Sequence, residues 1–226
     1  MQAGAEARYL CLLFCLIMYN VYDWYLFKDG IDGEACEKLK ALYKRSGWKK
    51  SYVDNKMGTA VEKKKYGEDY EEDLDVRVSD IAWVNDQWVY DLIWPYMEEA
   101  NKEAGWKYRI KSAESSQLTR YKEGGFYDFH RDGTGDHLST YHNVTNAFVH
   151  GYVRKLSMTV LLNDDFSGGC FEFTSYSNQK CSIHRIDGMS TGSIIVFPSY
   201  HEHRVSPVLK GTRHSLVTWF LGPPFE

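Results

Sequence analysis

Four side chains of this 226-residue chain could do chemistry by type and spacing: His130, Asp132, His203 and Arg213. His130 and Asp132 lie two positions apart in Tyr121-Lys-Glu-Gly-Gly-Phe-Tyr-Asp-Phe-His-Arg-Asp. On a strand, residues i and i+2 share a face, so one imidazole and one carboxylate can reach a single point. His203, far along the chain in Phe197-Pro-Ser-Tyr-His-Glu-His-Arg-Val, can add a second imidazole from another strand. Two nitrogens and one oxygen on one face of a metal leave the opposite positions open, the arrangement that suits non-haem Fe(II). Such ligands must be neutral imidazoles and an ionised carboxylate, so metal affinity is expected to fall in acid. Arg213 offers a cation that stays charged when partly desolvated and grips a carboxylate at two points.

Further segments accompany these residues in a fixed order. They are Arg154-Lys-Leu-Ser-Met-Thr-Val-Leu-Leu-Asn, Gly168-Gly-Cys-Phe-Glu-Phe, Gly192-Ser-Ile-Ile-Val-Phe-Pro, and His203-Arg-Val-Ser-Pro-Val-Leu-Lys-Gly-Thr-Arg-His-Ser. With Tyr121 to Asp132 they make the chain resemble the 2-oxoglutarate and Fe(II)-dependent dioxygenases of the prolyl 4-hydroxylase group, over residues 77 to 224. The resemblance implies Fe(II) held by His130, Asp132 and His203, and a 2-oxoglutarate co-substrate whose C5 carboxylate is gripped by Arg213 and Ser215. It also implies that Tyr121 reaches the co-substrate, that O₂ is consumed, and that ascorbate supports turnover. Its spacing of histidine, valine, Pro-Val and Gly-x-Arg selects His203 over His201, which is then a rim residue.

On an expected strand at 154–163, Thr159 and Leu161 alternate inward and are expected to line the pocket. Trp219 shares the strand parity of Arg213 and is expected to close the floor. Tyr127 and Arg131 straddle the ligands and are the candidates for meeting substrate at the mouth. The implied reaction oxidises 2-oxoglutarate to succinate and CO₂ while hydroxylating an unactivated C–H. The favoured substrate is a prolyl residue in a peptide or protein. Alternatives are a free amino acid or other small metabolite, and a catalytically inactive metal-binding scaffold.

A formal charge of −4 and a pI near 6.1 argue against a nucleic-acid partner, which would require a basic stripe to hold phosphates. Five cysteines without a C-x-x-C pair point to free, mostly buried thiols in a reducing compartment. The cytoplasm is therefore expected. Residues 1–18 are an apolar extension of open meaning: non-native or upstream of a start at Met18, membrane-directing, or a buried element. The apolar run from Tyr9 to Tyr19 is shorter than the roughly 20 residues that span a bilayer. Membrane attachment is not expected, although this run leaves membrane or secretory targeting open. Oligomeric state has no signature.

The elements that must position these residues read as α+β. Residues 19–226 are expected to be a single domain, with helical support over 30–106 and a β core over 108–224. Asn20 to Phe27 reads as a strand. Asp32 caps a helix that Gly47 ends, and a second helix is expected over Asp80 to Gly105, with Val84, Trp88, Leu92 and Met97 apolar and a kink or break at Pro95. Charged residues 62–75 read as an exposed loop. Short strands follow at 108–121, 126–132, 154–163, 169–174, 192–198, 202–206 and 213–221. The resemblance implies that they form a double-stranded β-helix (jelly-roll) with the metal at one open end. The turn-rich stretch 133–153, immediately after the H-x-D pair, is a candidate lid.

Overall fold

The computed structural model describes residues 21–51, 76–133, 138–177 and 180–225, without the side chains of 176 and 177. The apolar extension at 1–18 and the charged loop at 62–75 lie outside the described residues.

The chain enters through β1 (Tyr25–Phe27) and turns at Asp32, whose carboxylate accepts from the Ala35 amide and so caps α1 (Gly33–Ala41). A short α2 (Tyr43–Ser46) ends at Gly47, whose φ of 68° is the left-handed conformation that glycine adopts without penalty. Next come β2 (Lys49–Lys50), β3 (Arg77–Val78), β4 (Asp80–Val84) and α3 (Gln87–Glu103). The rest is β: β5 (Ser112–Ala113), β6 (Ser116–Tyr121), β7 (Phe126–His130), β8 (Val153–Leu161), β9 (Ser167–Gly168), β10 (Phe171–Ser177), β11 (Lys180–Arg185), β12 (Ile194–Pro198), β13 (His203–Val205), β14 (Val208–Lys210) and β15 (Arg213–Gly222).

Two antiparallel sheets face each other. The larger has the order β1-β12-β8-β15-β6-β4-β2, with β5 added beside β15. The smaller runs β11-β10-β13-β7-β3, and β14 pairs with β9. Alternation along the large sheet sorts its side chains. Leu156, Met158 and Val160 of β8, Leu216 and Phe220 of β15, and Ile194 and Val196 of β12 pack with Leu39, Val89, Ile93 and Met97 of the helices. The alternate residues Ile195 and Phe197 of β12, with Tyr121 of β6, turn the other way and pack with Phe171, Phe173 and Val205 of the small sheet. The helices therefore buttress one face, while the inter-sheet space holds a second, smaller core and the functional residues.

Several expectations change. Residues 80–84 are a strand rather than the start of a helix, pairing Ile81 with Thr119 and Trp83 with Gln117. Ile, Trp and Val suit a pleated surface, and pairing with β6 overrides the helical reading. The helix begins at Gln87 and runs through Pro95 without splitting. Its buried stripe is Val89, Ile93, Met97 and Ala100, so Trp88 and Leu92 flank the core instead of forming it. Strand β11 was not foreseen; it is exposed throughout its described length and lacks an apolar alternation to read. Among the described residues no helix is long and apolar enough to cross a membrane, and Cys36, Cys170 and Cys181 are free.

Candidate active site

Strands β7 and β13 are antiparallel neighbours that pair His130 directly with His203. Asp132 lies just beyond the end of β7, which stops at His130, and its amide donates to Ser199 O at 2.9 Å. The expected strand over 126–132 is thus shorter, yet its last residue still turns inward. The ligand atoms of His130, Asp132 and His203 all lie within 4.8 Å of one another. His130 Nε2 is 3.7 Å from Asp132 Oδ1, and His203 Nε2 is 3.6 Å from Asp132 Oδ2. Those separations exceed hydrogen-bond length, so the three groups converge on a point without bonding one another.

The surroundings orient them. His130 Nδ1 lies 2.8 Å from Asp128 O, and His203 Nδ1 lies 2.9 Å from His201 O. A carbonyl can only accept, so each Nδ1 carries the proton and each Nε2 lone pair faces the convergence point. Burial, reinforced by the neighbouring His203, pushes His130 down to about 3; burial also lowers His203, so both rings are neutral at pH 7. Burial alone would raise Asp132. His203, His130 and Arg154 together with the Ser157 hydroxyl, 2.6 Å away, outweigh it and hold the carboxylate below its usual range. The set is in the protonation state that a divalent metal requires.

A cavity of about 190 Å³ opens from this point between the sheets. Arg213, Ser215, Val217 and Trp219 of β15 line one wall, with Thr159 of β8 and Tyr121 of β6. Arg213 is only 1% exposed, and burial lowers its pKa. Its Nη1 donates to Ser215 Oγ at 3.1 Å and its guanidinium carbon stands 5.8 Å from the Tyr121 ring, but its Nε has no partner among the described residues. A buried guanidinium with an unused donor, and no carboxylate beside it among the described residues, is built for an anion from outside. Gly169 makes the arginine's room: at φ 56°, a Cβ there would sit 3.0 Å from Arg213 Cδ.

His201 is not in the group. Its ring nitrogens face Asp23 O and Thr174 O, and its ring packs beside Trp24 and Phe173. Leu161 shares the inward face of β8, opposite Ser215, but lies outside the cavity wall. Arg131 is exposed and also lies outside the wall, because the residue between two inward ligands points away. Tyr127 does reach the wall, stacked 3.5 Å from the His130 ring with Arg77 over its own ring at 4.5 Å. Burial pushes its hydroxyl up to about 12.

Sequence reasoning missed Arg154. Its Nε and Nη2 each donate to Glu114 at 2.6 Å, Tyr141 donates to the same carboxylate at 2.8 Å, and the guanidinium lies 4.1 Å over the Trp219 ring. Trp219 Nε1 is buried in the same wall without a partner among the described residues. A long cation at the start of a buried strand was the available signal. Simple alternation from Thr159 would have sent it outward, but the register shifts between Phe220 and Leu221 opposite. None of residues 138–152 lines this cavity; Asn146, Phe148 and Val149 instead wall a neighbouring groove, so the described part of the expected lid does not cover the metal point.

Two facing antiparallel sheets with a two-histidine, one-carboxylate group at one end define a double-stranded β-helix with a candidate non-haem iron site. Residues 116–221, somewhat under half of the chain, match the 2OG-Fe(II) oxygenase superfamily. A PKHD-type hydroxylase of Idiomarina loihiensis is 27% identical over 113 residues, 49% of this chain and 44% of the relative. One of Acaryochloris marina is 34% identical over 113 residues, 48% of this chain and 42% of the relative. The chain thus spans less than half the length of these curated relatives. Among solved structures, a viral collagen prolyl hydroxylase from Paramecium bursaria Chlorella virus-1 superposes with a TM-score of 0.59 at 17% identity, covering 91% of this chain and 99% of that one. A prolyl hydroxylase of Trichoplax adhaerens, solved with a hypoxia inducible factor peptide fragment, gives 0.57 at 13% identity, covering 97% and 93%.

Proposed function

We propose that this chain is a 2-oxoglutarate- and Fe(II)-dependent dioxygenase that hydroxylates a prolyl residue within a peptide or protein. One observation carries the reading: three metal-ready donors and a buried, underused arginine share a single cavity. His130, Asp132 and His203 would hold Fe(II), and Arg213 with Ser215 and Tyr121 would hold the far carboxylate of 2-oxoglutarate. Because Ser215 Oγ accepts from Arg213, its own proton is free for that carboxylate. Bound iron, with 2-oxoglutarate and O₂, supplies the oxidising power for C–H hydroxylation; ascorbate would support it as reductant.

The chain's own residues do the rest. Asp128 and His201 carbonyls keep both Nε2 lone pairs aimed at the metal point, and Ser157 steadies the carboxylate. Phe171, Phe197 and Val205 in the wall exclude water. The unpartnered Trp219 N–H and the Arg154 edge of the wall offer donors to the carbonyls that flank a reacting residue in a polypeptide. The peptide complex of the Trichoplax adhaerens structural neighbour supports the choice of a polypeptide.

Anaerobic Fe(II) titration of single alanine variants tests the ligand set. His130→Ala, Asp132→Ala and His203→Ala should each lose the tight site while circular dichroism stays unchanged, and His201→Ala should keep it. Loss in His201→Ala with retention in His203→Ala would overturn the assignment. Incubation of proline-containing peptides and of free proline with Fe(II), 2-oxoglutarate and O₂ then tests the substrate. A gain of one oxygen mass on free proline alone would move the activity to small metabolites.

A further inference from the structure

Asp132 must present a carboxylate to the metal point from beyond the end of its strand. Strand β7 stops at His130, so the sheet ladder does not fix Asp132. Two serines take over that task. Ser157 on β8 faces inward with its strand partners Phe197 and Trp219, and Ser199 opens the turn between β12 and β13. Both are fully buried, and a hydroxyl removed from water costs free energy unless it is bonded. Neither lines the cavity, so both stand behind the carboxylate and away from anything bound in front of it.

Their hydrogen bonds run in one direction. Ser157 Oγ donates to Asp132 Oδ2 at 2.6 Å, and the two serine hydroxyls lie 2.9 Å apart. A hydroxyl has a single proton, so between the serines Ser199 is the donor. The carbonyl of Ser199 also accepts the Asp132 amide at 2.9 Å, while its own amide donates to Lys155 O at 3.0 Å. Asp132 is thus held at backbone and carboxylate by the turn that leads into His203. Distance does not choose between its two oxygens: Oδ1 is 3.7 Å from His130 Nε2, and Oδ2 is 3.6 Å from His203 Nε2. The hydroxyl chain does choose, because it ends on Oδ2.

We propose that Ser199 and Ser157 form a positioning relay that occupies Oδ2, so that Asp132 meets the metal through Oδ1 alone. The proposal deepens the metal-centre reading and rests on it. A carboxylate that turned to bind through both oxygens would fill a position that two histidines and one carboxylate otherwise leave open. The relay keeps that position open, and it acts through Asp132 without touching metal or substrate.

Co(II), titrated into the full chain by its visible absorbance, tests this without turnover. Ser157→Ala should weaken Co(II) about tenfold, with circular dichroism unchanged. Ser199→Ala should weaken it about threefold, and it carries the same test should Ser157→Ala fail to fold. The double variant should bind no more weakly than Ser157→Ala, since Ser199 acts through Ser157. Ser157→Thr, which keeps the hydroxyl, should restore most of the affinity. The infrared difference between cobalt-loaded and metal-free protein reads the ligation itself. The antisymmetric and symmetric carboxylate stretches lie far apart for one-oxygen binding and close together for two. Wild type should show the wide separation and Ser157→Ala the narrow one. Full Co(II) affinity in both single variants, additive losses in the double variant, or a narrow separation in wild type would overturn the relay while the ligand set stands. Co(II) binding that survives Asp132→Ala would instead sink the metal-centre reading.

Discussion

Two arginines face the same cavity, one half-buried and one fully buried, and are treated in opposite ways. Arg154 is charge-paired: Glu114 takes two of its N–H groups, Tyr141 donates to the same carboxylate, and Trp219 lies under the guanidinium plane. Arg213 is more deeply buried and, among the described residues, has only a serine hydroxyl as hydrogen-bond partner and leaves Nε unused. Burial disfavours the charge on both; Glu114 more than compensates for Arg154, so its pKa is raised, whereas that of Arg213 is lowered. The one carries its counter-ion with it. The other is the arginine that, in the proposed reading, an external carboxylate would neutralise.

The largest expected effect comes from breaking the Arg154–Glu114 pair. Glu114→Ala leaves Arg154 charged and unpaired, and should cost about 3 kcal/mol in denaturant unfolding. Adding Arg154→Met should restore most of it, because a neutral side chain needs no partner. A double variant as unstable as the single one would mean that Glu114 acts through something other than this pair. Arg213→Ala should behave oppositely. It loses a charge-assisted contact of about 1.5–3 kcal/mol, or roughly 10- to 100-fold in 2-oxoglutarate affinity, with Fe(II) binding and folding stability retained. Arg213→Lys should recover part, keeping the charge but not the fork. Anaerobic titration of 2-oxoglutarate against the iron charge-transfer band measures both; an unchanged curve in Arg213→Ala removes the co-substrate assignment.

Smaller changes sharpen the contrast. Gly169→Ala places a methyl against Arg213 in a left-handed backbone, so it should cost about 1 kcal/mol of stability and weaken 2-oxoglutarate while sparing iron. The adjacent His214 tests the other face of the same strand. Burial, then Lys40 and Arg120, lower it from 6.5 to about 4. Between those values the unfolded chain holds the proton and the folded one does not, so stability falls as pH drops from about 7 to 4. His214→Gln should flatten that slope by about 1 kcal/mol at pH 5 in iron-free protein. An unchanged slope would show that His214 titrates normally.

Much of this was legible in residue order. The i, i+2 spacing of His130 and Asp132 survives even though the strand ends early, because the turn inward depends only on local backbone alternation. Asp32 and Gly47 bounded the first helical stretch for similarly local reasons, a side-chain cap and a positive φ. Such features need only a few neighbouring residues, so a sequence determines them alone. What only the tertiary structure decided depends on partners far away in the chain. Strand pairing turned residues 80–84 from the expected helix into β4. A register shift between β8 and β15 brought Arg154 inward to meet Glu114, 40 residues away, and made it half of the contrast with Arg213. The groove likewise exists only where β4, α3, β5 and the 146–149 loop meet. Local alternation sets which way a side chain points, but a neighbouring strand sets what it meets, and that neighbour is chosen by burial of the whole sheet.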